Sequence, residues 1–177
     1  MKAGTSQLAR STPGRRAPVD REISIRPVDA AHGPGLADFY AHLSPRSARL
    51  RFLGPTRPGP AQIADLAEAP GLVGVLAEYG PRDGEIVAHA SIHADGHGGA
   101  EVAFAVADEF QGQGIGSRLV AMTLSEAKGR GLHSVSAVLS ADNVPMRRLL
   151  RRAGPAVAGD ELDAGIEEIT LDLARAA

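Results

Sequence analysis

One segment limits this chain more than any other. It runs Val106-Ala107-Asp108-Glu109-Phe110-Gln111-Gly112-Gln113-Gly114-Ile115-Gly116-Ser117. Its three glycines stand at alternate positions, between a strand-like stretch (residues 100 to 107) and a helix-spaced stretch (residues 114 to 128). Glycine permits positive φ and lets a backbone come close to a ligand. The helix behind the loop leaves its first N–H groups without internal partners, and its dipole favours an anion such as a pyrophosphate. The alternative is a glycine-rich turn that binds nothing.

Three phosphate-binding patterns compete for this loop. A P-loop needs Gly-x-x-x-x-Gly-Lys-Ser/Thr, and no lysine follows here. A dinucleotide fingerprint needs Gly-x-Gly-x-x-Gly and an acidic residue about 20 positions later. Here the third glycine is one place early, and the next strand-like stretch, Ser134 to Leu139, has no acid before Asp142. The third pattern, Gln/Arg-x-x-Gly-x-Gly/Ala, belongs to loops that hold the pyrophosphate of acyl-CoA. Gln111, Gly114 and Gly116 fit each of its defined positions.

Composition removes other classes. The 177 residues match one domain with its own core. The net charge is -2, so no global basic field recruits nucleic acid or an anionic membrane. Cysteine is absent, which excludes disulfides, cysteine metal sites and a cysteine nucleophile within this chain. Tryptophan is absent too, and four Phe with two Tyr make a poor base-stacking platform. No apolar run approaches the ~18 residues a membrane span needs. Residues 1–21 are arginine-containing and low in hydrophobicity; they read as a disordered tail ahead of a single domain over 22–177. The expected location is the cytoplasm.

Along the chain, residues 22 to 28 alternate as a strand and 31 to 43 read as a short helix. Ser44-Pro45 reads as an N-cap with proline at the first helical position, starting a helix that Gly54 and Pro55 stop. Residues 60 to 68 suggest another short helix. Strands follow up to Gly80 and over 85 to 93, joined by an Asp83-Gly84 turn signal. After the strand over 133 to 140, Asp142 and Asn143 are N-cap candidates for a helix with Pro145 just inside. Met146, Leu149, Leu150 and Ala153 then form an apolar stripe, with Arg147, Arg148, Arg151 and Arg152 on the other face. The chain closes in a strand or strands, the clearest over 166 to 173, and 155 to 166 is read as a loop. The expected class is α/β with an antiparallel first half.

The loop and the second helix together resemble the GNAT (Gcn5-related N-acetyltransferase) superfamily. The resemblance runs from about Glu22 to Leu173 and rests on Gln111 to Gly116 followed by Asn143-x-x-Met146-x-x-Leu149-x-x-Arg152-x-Gly154. It implies a mixed, mostly antiparallel sheet flanked by helices, with a V-shaped splay between strands 4 and 5 that takes the arm of acetyl-CoA, the cosubstrate. The backbone of Phe104, Ala105 and Val106 would meet the pantetheine and thioester. The N–H groups of Gln111, Gly112, Gln113, Gly114, Ile115, Gly116 and Ser117 would meet the pyrophosphate, and Asn143 the CoA arm. A narrower set, Leu43-Ser44-Pro45-x-Ser47 with Arg51-Phe52 and Ala100 to Ala103, is similar to the bacterial protein-lysine acetyltransferase domains. That likeness implies a protein lysine as acceptor, with a small-molecule amine as the alternative. Some such domains are fused to cyclic-nucleotide-binding or acyl-CoA-synthetase-like partners, and neither is expected within these 177 residues.

Attack on a thioester needs a neutral amine, and a lysine is neutral in roughly 4 of 10,000 molecules at pH 7. A base, direct or through water, relieves that bias. Glu101 begins the strand of Val102 to Val106 and is the candidate; the resemblance points to the same position. Many members of the superfamily supply a tyrosine to the leaving thiolate, and the matching position here is Leu150. A non-catalytic CoA-binding module is therefore a second reading. His89, His93 and His97 recur every four residues, but on a strand entering a loop they do not converge, so no metal site is expected. Asp108 and Glu109 would repel phosphate if they faced the loop's interior, so they are expected to point outward. The acceptor depends on residues 29 to 72 and 155 to 166.

Overall fold

The computed structural model describes residues 23–55, 57–65, 72–80, 84–154 and 156–174. The proposed tail over 1–21, the end of the helix read over 60 to 68, and Asp83 of the expected turn lie outside them. The chain builds a seven-stranded sheet in the order β1-β2-β3-β4-β5-β7-β6. The strands are β1 (Ile23–Pro27), β2 (Leu72–Tyr79), β3 (Glu85–Ala94), β4 (Gly99–Val106), β5 (Ser134–Ser140), β6 (Ala156–Asp163) and β7 (Ile166–Asp172). Every neighbouring pair is antiparallel except β4 and β5, which are parallel.

That exception positions the site. β4 and β5 pair only at Gly99↔Ser134, Ala100↔Val135 and Glu101↔Ser136, and beyond them the strands part. β4 continues to pair with β3 as far as Val106, so its other edge is left open from Val102 onward. A pleated strand directs alternate backbone groups to opposite edges. The N–H of Ala107 donates to Val87 O, and Gly99 O accepts from the N–H of Asp95. The odd-numbered residues of β4 therefore face β3, and beyond the last β4–β5 pair the backbone of Phe104 and the N–H of Val106 face the opening, while Val106 O accepts from Gln111 Nε2.

Helices cover both faces. α4 (Ile115–Gly129) buries Ile115, Leu119, Val120, Leu124 and Ala127 against one face, with Val102, Phe104, Val135 and Leu139. A fully buried aliphatic side chain such as Leu119 contributes about 1.5–3 kcal/mol. α5 (Val144–Arg152) joins this layer through the fully buried Leu150, with Met146, Leu149 and Ala153 packed beside it. On the other face, α1 (Gly33–His42), α2 (Pro45–Phe52) and α3 (Pro60–Asp65) bury Leu36, Phe39, Tyr40, Ala48 and Ile63 against Leu76, Ile86 and Ala105. Among the described residues, no helix is long and apolar enough to cross a membrane.

Local differences from the sequence reading have physical causes. The first helix is a 3-10 turn, Ala30–His32, capped by Asp29, followed by α1. α2 starts as expected, with the Ser44 side chain accepting from the N–H of Ser47, but it ends on Leu53 in a left-handed conformation (φ 53). The expected loop over 155 to 166 is instead β6 and the turn into β7. Ala164 (φ 46) and Gly165 (φ 82) form that turn, with the two positive φ values that tight hairpins favour.

Candidate active site

The glycine loop follows a short 3-10 turn, Asp108–Phe110, and ends on Gly114, which caps α4 with φ 85 and no side-chain bond. Gly112 has φ 72, and a Cβ at either Gly112 or Gly114 would meet nothing within 4 Å. The loop is thus an open cradle at a helix N-terminus, suited to an anion. Gly116 serves packing: a Cβ there would lie 3.3 Å from Leu149 Cδ1. Gln111, Gln113 and Ser117 are exposed around this cradle, and Ile115 is buried beneath it. Gln111 Nε2 donates to Val106 O (3.0 Å) and to Ser47 Oγ (3.2 Å), tying the loop to β4 and α2.

Asp108, just ahead of the cradle, is engaged by α2. Its carboxylate accepts from Ser44 N–H (3.0 Å), Ser44 Oγ (2.7 Å) and Ser47 Oγ (2.8 Å), so it latches α2 to the glycine loop. Partial burial pushes its carboxyl upward, but the hydrogen bonds from Ser44 and Ser47 outweigh this and hold it below the usual range. At the opposite side of the splay, Arg49 Nη2 reaches Asp142 Oδ2 at 2.6 Å. α2 touches both β4 and β5 and so bridges the opening on one face.

The backbone of Phe104 and the N–H of Val106 face the splay, where an extended ligand arm fits. Ala105 differs from expectation: its backbone faces β3, opposite His89, and its side chain is buried with the α1–α2 layer. Asn143 caps α5, its Oδ1 accepting from the N–H of Met146 (3.3 Å), which does not use its amide nitrogen. The arginine face of α5 is not uniformly solvated. Arg147 and Arg151 pair with the buried Glu167 of β7, while Arg148 and Arg152 are exposed.

Glu101 sits at the last β4–β5 pair, and its side chain lines two hollows. One, about 350 Å³, is walled by Arg51, Phe52, Gln62, Ser91 and His93. The other, about 510 Å³, lies between β3, β4 and β5, with Ser134, Ser136 and Thr170. Glu101 is exposed, despite its apolar neighbours in sequence, because they alternate onto the other face or follow it into the core. A larger hollow of about 630 Å³ at the other end of the sheet, by Arg26, His32 and Glu78, does not include Glu101.

The histidines separate, as their strand placement requires. His97 is exposed in the β3–β4 turn, His93 is exposed opposite Glu101, and His89 is fully buried. His89 Nδ1 lies 2.8 Å from the Tyr40 hydroxyl. Burial, helped by the Arg51 charge, pushes its pKa down to about 3, so it is neutral. Burial likewise raises the Tyr40 pKa, against the lowering influence of Arg51. Sequence reading gave no sign of this pair or of the Asp108 latch, since each joins residues far apart in the chain.

The family profile described as Acetyltransferase (GNAT) family matches residues 39–154. The chain belongs to the GNAT acetyltransferase family. Acetyltransferase Pat of Mycolicibacterium smegmatis is 34% identical over 88 residues, which is 49% of this chain and 26% of that protein. The chain thus spans only about a quarter of that relative. The crystal structure of the GNAT domain of PAT from S. lividans superposes with a TM-score of 0.73 at 26% identity, covering 84% of this chain and 89% of that one. A GNAT superfamily phosphinothricin acetyltransferase from Sinorhizobium meliloti, solved in complex with acetyl-CoA, has the same fold, with a TM-score of 0.70 at 18% identity over 85% of this chain and 88% of its own. The glycine cradle and the β4–β5 splay both lie in the GNAT segment matched.

Proposed function

We propose that this chain is an acetyl-CoA-dependent N-acetyltransferase in which an amine attacks the thioester directly in a ternary complex. The observation that carries the reading is Glu101, whose carboxylate stands where β4 and β5 part and borders the hollows on both sides. Acetyl-CoA supplies the activated acetyl group. The N–H groups of Gln111 to Ser117 hold its pyrophosphate, the backbone of Phe104 and the N–H of Val106 hydrogen-bond the pantetheine, and the Asn143 amide contacts the arm. Glu101 takes the proton from the acceptor ammonium, directly or through a water. That deprotonation bias is worth about 4.6 kcal/mol for a lysine at pH 7.

The amine nitrogen bonds to the acetyl carbon, the C–S bond breaks, and the thiolate takes a proton from solvent or from the amine. Leu150 stands where a tyrosine acid is common and is fully buried in the core, so this chain supplies no acid there. The absence of cysteine leaves no acetyl-cysteine route within the chain. The acceptor is a protein lysine in this reading, supported by Leu43-Ser44-Pro45-x-Ser47, Arg51-Phe52 and Ala100 to Ala103, which are similar to the bacterial protein-lysine acetyltransferase domains. A small amine is the second reading, supported by the hollow of about 350 Å³ beside Glu101, which has room for a small acceptor.

The test is thiol release from acetyl-CoA by the purified chain against a lysine-peptide array and an amine panel, with products identified by mass spectrometry. Acetylated product in either set supports the transferase. Calorimetric CoA binding with no transfer to any acceptor favours a non-catalytic module.

A further inference from the structure

The hollow beside Glu101 carries a second charge. Arg51 lines it with its guanidinium half-buried, its Cζ 5.1 Å from the Phe52 ring centroid and 5.7 Å from that of Tyr40. Its Nη2 donates to Ser91 Oγ at 3.2 Å. Its Nε is buried and has no hydrogen-bond partner. Among the described residues, none of the ion pairs includes Arg51. Nearby His89 is neutral and Tyr40 keeps its proton, so neither neighbour offsets the charge. A half-buried cation with an orphaned donor is costly unless something pairs with it.

The packing holds this cation in place. Two aromatic rings and Ser91 fix the fork, which presents several donors in a plane that matches a carboxylate. Glu101 borders the same hollow without forming an ion pair to Arg51, so a negative and a positive group share one small cavity. Such a cavity complements a molecule that carries both an ammonium and a carboxylate.

We infer that Arg51 is an acceptor-recognition residue, binding a carboxylate on the acceptor while Glu101 receives its amine. The inference rests on reading this hollow as the acceptor site. Two sources share the chemistry: a free amino acid, or a lysine in a peptide with an acidic neighbour.

The experiment compares matched acceptors at saturating acetyl-CoA by thiol release. One arm pairs free diamino acids with their carboxamides. The other pairs lysine peptides bearing Asp beside the lysine with those bearing Asn. Each is run on the full chain and on Arg51→Met, which keeps an apolar stem against the rings, and Arg51→Lys. CoA affinity and a cooperative melt establish that the variants are folded. In the unaltered chain the carboxylate acceptor should be favoured by about tenfold to a hundredfold, chiefly in KM. The preference should vanish in Arg51→Met and be partly kept in Arg51→Lys. The arm that shows it identifies the source. Equal use of both members of every pair, or a preference that survives Arg51→Met, overturns the assignment and leaves the transferase reading standing. If no acceptor releases thiol, the transferase reading fails. Calorimetry of the CoA-loaded chain with the same pairs then decides Arg51: tighter carboxylate binding lost in Arg51→Met supports it, and equal binding overturns it.

Discussion

Glu101 on β4 is in register with Ser136 on β5, and no pair follows before the strands separate. A carboxylate at that vertex reaches the opening without belonging to either core. The same separation leaves the backbone of Phe104 and the N–H of Val106 available along one edge, which leads toward the glycine cradle at the start of α4. One topological feature, a single parallel pairing that stops early, thus brings together the base candidate and the groups suited to the CoA arm.

The cradle depends on backbone shape. Gly114 has φ 85, which costs an ordinary L residue roughly 1–2 kcal/mol and a β-branched one more. Gly114→Val should weaken CoA binding at least about tenfold by calorimetry, since it strains the loop and places methyl groups in the open cradle. Unchanged CoA affinity would count against anion binding there.

His89 ties stability to pH. The unfolded chain protonates it below about 6.5, while the folded chain holds its pKa down to about 3. Between those values the unfolded state binds more protons, so stability rises with pH and is lost as pH falls. Lowering pH from 7 to 5 should remove up to about 2 kcal/mol through this residue. Urea unfolding of the chain and of His89→Gln at both pH values checks this; the variant should show the smaller loss. An equal loss in both would remove His89 from the account.

The Asp108 latch has the opposite chemistry and the same direction. Its carboxyl is held below the ordinary range, so its contribution is present above the unfolded value of about 4 and fades as pH falls through the folded one. Asp108→Ala should raise the KM for acetyl-CoA several-fold, because the glycine loop loses its tie to Ser44 and Ser47. In urea melts the stability gap between the chain and this variant should be present at pH 7 and narrow near pH 3. A gap that does not change with pH would mean the carboxylate charge is not what holds the latch.

The readable parts of this protein were local. Gly112 and Gly114, Ser44 before Pro45, and Asn143 before Pro145 announce themselves because turns and caps depend on a few adjacent residues. β6 escaped because Ala156–Asp163 is an edge strand rich in Gly, Asp and Glu, and edge strands carry charge without needing a continuous apolar face. Its turn escaped because Ala164, rather than Asn or Asp, occupies a left-handed position. Glu101 is a candidate from its place in the strand and from the family resemblance. Arg51 was visible only as part of an Arg-Phe pair, since its meaning depends on Tyr40, Ser91 and Glu101, which folding alone brings near it.

The most direct test of the account is the turnover of Glu101→Gln beside its affinity for CoA. Glutamine keeps the shape and removes the base, so kcat should fall by about a hundredfold or more, while the calorimetric Kd for CoA stays within about twofold. Turnover equal to that of the unaltered chain would show that Glu101 is not the base and would contradict the account at its centre.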